Sequence, residues 1–116
     1  MQKSKFSRYN DGIVSIYREN EDNKSDFSAK RNIATLSDMQ FIVRLAFEEC
    51  AKREQDITFA EQHDFTLTTK VKTRLVAGVD NKCKAVIDNY LYAVSYIDKS
   101  REEMWLYLQG VKSLDS

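Results

Sequence analysis

The chain of 116 residues has no proline, three glycines (Gly12, Gly78, Gly110), two cysteines and one histidine. Each scarcity removes a class of protein. Without proline and with so little glycine there are no linker stretches, so residues 1–116 read as a single domain. Three scattered glycines cannot build a phosphate-cradling loop. Cys50 and Cys83 are too few and too far apart for a metal knuckle. One isolated pair is also a poor disulfide framework, so both read as free thiols acting as small hydrophobes in strands. His63 stands in the polar stretch EQHDF, which reads as an exposed turn. It has no second histidine to share zinc with, and it offers a weak basis for a Ser–His–Asp triad. No charge of one sign is in excess: 18 Lys and Arg face 18 Asp and Glu. That balance argues against a binder held on phosphates by a large positive surplus. No apolar run approaches the roughly 18 residues of a membrane-spanning helix. The opening MQKSKFSRYNDG lacks the apolar stretch of a secretory signal, which points to a cytoplasmic chain.

What is present is β-rich. The stretch FTLTTKVKTR, Phe65 to Arg74, alternates Phe65, Leu67, Thr69, Val71 and Thr73 with a wet face that ends in Lys70, Lys72 and Arg74. Alternation with β-branched residues predicts a strand over the whole stretch. Lys84–Asp88 and Tyr90–Ile97 are two further β-rich runs meeting at Asp88-Asn89, residue types that tolerate the left-handed backbone of a tight hairpin. A turn is expected at Asp98–Arg101. From Glu103 to Val111, Met104, Leu106 and Leu108 are set against Glu103, Trp105, Tyr107 and Gln109. Near the N-terminus, GIVSIY (Gly12–Tyr17) is a strand. Met39 to Glu49 fits both a helical and a strand period, and its β-branched and aromatic content tilts the reading to strand. Lys52 to Gln62 (KREQDITFAEQ) has the Glu and Gln content and the spacing of a helix of two to three turns. The polar stretch Glu19 to Lys30, ENEDNKSDFSAK, reads as a long exposed loop. The expected fold is mainly β: a small antiparallel barrel, or a sandwich, with the helix covering an open end.

The chemistry-bearing residues are sparse. Adjacent carboxylates at Glu48-Glu49 and Glu102-Glu103 point to opposite faces of a strand, so neither pair converges on one substrate. Tyr90, Tyr92, Tyr96, Trp105 and Tyr107 crowd the last strands, and Lys70, Lys72 and Arg74 share one face. Together they could form a stacking platform for single-stranded nucleic acid. Alternatively the aromatics fill a core or meet a neighbouring subunit, with Asp88, Asp98, Glu102 and Glu103 as cross-strand partners for the cations. The second reading is preferred. No catalytic residue, cofactor or metal is expected.

Two strings carry a resemblance: LAFEECAKREQDITFAEQHDFTLTTKVKTR, Leu45 to Arg74, and VIDNYLYAVSYIDKSREEMWLYLQGV, Val86 to Val111. With NDGIVSIY (Asn10–Tyr17), they resemble the small head-closure, or head–tail joining, proteins of siphovirus-like tailed phages. The likeness lies in the order of a strand, a short helix, a strand like LTTKVKTR and a loop. A hairpin at Asn89-Tyr90-Leu91-Tyr92 and a final strand with the step Leu106-Tyr107-Leu108 follow. It covers most of the chain as a pattern of elements, and places a strand at Met39–Glu49. It implies a β-barrel virion protein without catalysis, stopper or adaptor, made in the host cytoplasm. Copies would form a ring at the head–tail connector, beneath the portal or its adaptor and above a tail terminator or tail-tube protein. Double-stranded DNA would pass through the lumen without sequence-specific binding, and no membrane is involved. A loop gating that channel would correspond to Glu19, Asn20, Glu21, Asp22, Asn23, Lys24, Ser25, Asp26 and Phe27. Subunit or partner contacts would be expected at Lys70, Lys72, Arg74, Tyr92, Trp105 and Tyr107. A tail-terminator role and the small nucleic-acid-binding barrel are the alternatives.

Overall fold

A computed structural model describes residues 9–19 and 39–114. Six strands and one helix follow in order: β1 (Gly12–Glu19), β2 (Met39–Cys50), α1 (Glu54–Gln62), β3 (Thr69–Arg74), β4 (Cys83–Ile87), β5 (Tyr90–Lys99) and β6 (Glu103–Ser113). The strands close into one antiparallel barrel in the order β1-β2-β3-β6-β5-β4, with β4 pairing back onto β1. Closure gives each described strand a hydrogen-bonded neighbour on both sides over part of its length. The mainly β barrel with one short helix matches the expectation, and the ambiguous Met39–Glu49 stretch is strand.

The alternation read from the sequence fills the barrel. Met104, Leu106 and Leu108 of β6 are fully buried, together with Val14 and Ile16, Leu45 and Phe47, Val71, Ala85 and Val94. Thr73 of β3 is fully buried, and its hydroxyl donates to the carbonyl of Arg74 at 3.0 Å. Glycine is required at Gly12, where φ is +151° and an added Cβ would stand 3.1 Å from the Phe47 ring.

The Asp88-Asn89 hairpin is a two-residue turn with φ of 49° and 66°. Positive φ at both central positions is the condition of the primed turn that matches strand twist. A β-branched side chain has no comfortable place there. Asp88→Val is expected to cost about 1–2 kcal/mol, lowering the thermal midpoint by roughly 5 °C or more, whereas Asp88→Gly leaves it near the wild-type value. Differential scanning calorimetry of the two variants checks the turn.

Three expectations need correction. The strand predicted over Phe65–Arg74 begins only at Thr69. Phe65 and Leu67 do alternate inward, but against α1 and Tyr107 rather than into the barrel. The segment is tied to β6 by Thr68 N–H to the Leu108 carbonyl at 2.8 Å, by Gln109 Oε1 accepting from Thr66 N–H, and by Thr68 Oγ1 accepting from Gly110 N–H. The turn expected at Asp98–Arg101 starts later, because Asp98 and Lys99 still pair with Trp105 and Met104. Thirdly, α1 does not cover an open end. It lies on the outer wall over β3 and β6, where Ala60 packs with Leu67 and Tyr107 in a cluster separate from the barrel core. The physical reason is that Tyr107 sits between Leu106 and Leu108, so alternation sends its ring outward, and a ring of that size needs a second layer. The polar stretch expected as a loop has Glu19 as the last residue of β1, and the rest lies outside the described residues.

Candidate functional site

The wall beneath α1 is where the polar side chains of the chain converge. Asp56 is the third helical residue, and its Oδ2 accepts the backbone N–H of Arg53 at 3.0 Å, satisfying a donor left over at the helix start. The same oxygen takes the Lys70 ammonium at 3.1 Å, and Oδ1 takes the Tyr107 hydroxyl at 3.4 Å. Lys70 and Tyr107 are direct cross-strand partners on β3 and β6, and the ammonium stands 5.1 Å from the Tyr107 ring centroid. Burial pushes the Asp56 carboxyl up, but the Arg53 N–H, Lys70 and the Tyr107 hydroxyl together hold it below the usual carboxylate range. Burial raises the Tyr107 phenol, with Lys70 acting against it.

A second group lies one strand step along. Lys72 reaches Glu48 on β2 at 3.3 Å and Glu103 on β6 at 3.8 Å, and the Tyr9 hydroxyl donates to Glu103 at 2.7 Å. Burial would lower the Lys72 ammonium, yet its hydrogen bond to Glu48 and the charges of Glu103 and Glu48 raise it. One member of each adjacent carboxylate pair thus meets on a cation rather than on a substrate. Of the acidic partners expected for the β3 cations, Glu103 is used. Glu48 and Asp56 take the places foreseen for Asp88, Asp98 and Glu102.

The aromatic residues do not form one platform. Tyr90 and Tyr92 pair with each other at 5.1 Å near the start of β5. Tyr96 and Tyr107 meet edge-on at 5.3 Å, and Phe59 of α1 caps Tyr96 at 4.7 Å. Trp105 is half-buried against the cluster beneath α1. His63, the C-cap residue of α1, is exposed as expected, stacked on Phe59 at 4.0 Å between ring centroids. Of the residues expected at subunit or partner contacts, Lys70 and Tyr107 are each only 8% exposed and are held by Asp56. Their charge and ring are used within the chain. Lys72, Tyr92 and Trp105 are half-buried, and Arg74 is exposed at the end of β3. The proposed gating residues Asn20 to Phe27 lie outside the described residues.

Asp56 was not singled out from sequence, where KREQDITFAEQ reads only as a helix of two to three turns. The signal that could have found it is the aromatic content of the wet face of β6: Trp105 and Tyr107 outward on a strand call for a covering element, and the nearest helix supplies Asp56, Phe59 and Ala60 at i, i+3 and i+4.

Cys50 is half-buried and Cys83 buried, and burial raises both thiols. A raised thiol is a poor nucleophile near neutral pH. Among the described residues no three His, Cys, Asp or Glu side chains are grouped to hold a metal ion. No family model and no curated protein matches the chain. Chemically, this wall can fasten a helix to a barrel: an ion pair, a phenol and a capping bond share one carboxylate.

Proposed function

We propose that this chain is a structural virion protein of a tailed phage or prophage, forming a ring at the head–tail interface that closes the DNA channel after packaging and gives the tail its docking surface. The observation that carries the reading is the order of elements along the closed barrel. A strand runs into a short helix, a strand of LTTKVKTR character follows, then a loop, a hairpin at Asn89-Tyr90, and a last strand through Leu106-Tyr107-Leu108. That is the order the resemblance to head-closure proteins implies.

The chemistry is compatible with such a role. On the outer wall Lys70 and Lys72 are neutralised by Asp56, Glu48 and Glu103. A wall of paired charges does not grip passing phosphates, as a surplus of Lys and Arg would. The same pairing weakens the nucleic-acid alternative, because two of the residues it rests on, Tyr107 and Lys70, are beneath α1.

The test is complementation. An assembly extract lacking this protein is expected to accumulate heads that lose their DNA, beside complete free tails, and adding the purified chain restores DNA retention and joining. If the missing protein instead leaves full, stable heads and tails of irregular length, the chain is a tail terminator and the head-closure reading fails.

A further inference from the structure

Two exposed faces of the barrel carry matched chemistry. On the outer face of β1 and β2, three successive cross-strand pairs are Ile13↔Ala46, Ser15↔Arg44 and Tyr17↔Phe41. Ile13 and Phe41 are each 50% exposed, and Arg44 is exposed between them. Tyr17 meets the Phe41 ring edge-on at 5.6 Å, which holds that ring in place on the surface. The outer face of an antiparallel barrel in water is ordinarily polar, so this apolar strip around one cation is a departure that marks a contact surface.

The second face is the solvent side of α1. Glu54, Ile57, Thr58 and Glu61 fall at i, i+3, i+4 and i+7, one stripe of the helix, opposite the buried Asp56 and Ala60. Ile57 is 43% exposed, and the helix EQDITFAEQ contains no basic residue. This stripe is one apolar side chain between two carboxylates.

The two faces lie apart around the barrel. The helix is seated over β3 and β6; in the order β1-β2-β3-β6-β5-β4, β3 adjoins β2 while β6 is three places from β1 either way. One chain therefore cannot bring its own faces together, but two copies can.

We propose that α1 of one copy docks on the β1–β2 face of the next, with Ile57 against Phe41 and with Glu61 or Glu54 on Arg44. The spacings agree. Ile57 and Glu61 are about 6 Å apart along the helix axis, and the Tyr17–Phe41 and Ser15–Arg44 pairs are about 6–7 Å apart along β1. The occupant is a second copy because both halves of the contact, opposite in charge and each with an exposed apolar centre, stand on this one chain. A contact between two different patches repeats head to tail until it closes as a ring or extends as a filament. The inference deepens the ring-forming role proposed above and rests on it for the meaning of the contact, though not for the geometry.

Sedimentation velocity on the full chain, in a concentration series reaching the millimolar range, tests it with Arg44→Glu and with Glu54→Lys/Glu61→Lys. All three positions are exposed, and unchanged thermal midpoints verify that the variants fold. Wild type is expected to associate, each variant to associate about tenfold more weakly or worse, and their equimolar mixture to recover association because the reversed charges now face each other. A wild type that stays monomeric throughout, or variants that associate like wild type, overturns the assignment of these faces. Failure of the phage role shows separately: complementation then fails while charge-dependent self-association persists.

Discussion

Asp56→Ala is expected to lower the unfolding free energy by about 3–5 kcal/mol, the cost of removing one partner from a buried ion pair and stranding the other. The size follows from what the carboxylate holds. Lys70 at 3.1 Å, the Tyr107 hydroxyl at 3.4 Å and the Arg53 N–H at 3.0 Å all end on it, in a place where Lys70 and Tyr107 are each 8% exposed. Without Asp56 an ammonium remains beneath α1 with its main counter-charge gone. The pair itself need not be worth that much. Replacing both members, as in Asp56→Leu/Lys70→Met, is expected to cost less than the sum of the single changes, and a double-mutant cycle from urea unfolding reads the difference.

The same carboxylate sets a direction in pH. Its pKa in the folded chain is depressed, so the stability it contributes is present above the unfolded value of about 3.9 and is lost as pH falls through the folded value. Asp80 works in the same sense, held low by the Lys82 N–H and by Arg18. Stability should therefore fall below about pH 4, and Asp56→Asn should show a shallower fall than wild type over that range. A steeper acid dependence in Asp56→Asn would remove the carboxylate from this role.

Leu106→Ala is expected to cost about 2–5 kcal/mol, comparable to a large share of the ~5–15 kcal/mol that separates folded from unfolded domains. Leu106 is fully buried on β6, which pairs with β3 through Val71 and with β5 through Ile97. Its removal leaves a hole bounded by two sheet ladders that cannot collapse into it without breaking the closed register. Val111→Ala on the same strand, where the side chain is 47% exposed, should stay within about 0.5 kcal/mol. Urea midpoints at constant m-value measure both. Equal costs at the two positions would mean that β6 does not carry the barrel interior.

The barrel was legible because its information is local and periodic. Met104, Leu106 and Leu108 alternate with larger or polar neighbours, and the turn at Asp88-Asn89 announces itself by residues that accept positive φ. The C-terminal end of helix α1 was legible at Gln62, but the sequence pattern starts it two residues early, at Lys52 rather than Glu54. Its seat was not legible. Asp56 and Lys70 are 14 residues apart, and Asp56 and Tyr107 are 51 apart. Nothing in a one-dimensional pattern distinguishes a lysine on a wet strand face from one that a helix will cover. The reading of Lys70, Lys72 and Arg74 as one basic face was right in register, but Asp56 and the two glutamates divide that face between a covered and an open part.

The same limit explains the candidate contacts. Lys70 and Tyr107 were chosen for chemistry, which the fold then used internally. Ile13, Phe41 and Ile57 passed unnoticed, because exposed apolar residues stand out only once the barrel shows which side of each strand and helix faces water.

In the proposed role, copies of this chain assemble beneath a portal and close it. Cryo-electron microscopy of heads packaged in an extract lacking the protein, with the purified chain supplied during packaging, tests that role most directly. A ring of barrel-sized density below the portal with DNA retained above it is the result expected. Heads whose portals stay bare at saturating protein, while the chain remains folded in solution, would contradict the claim.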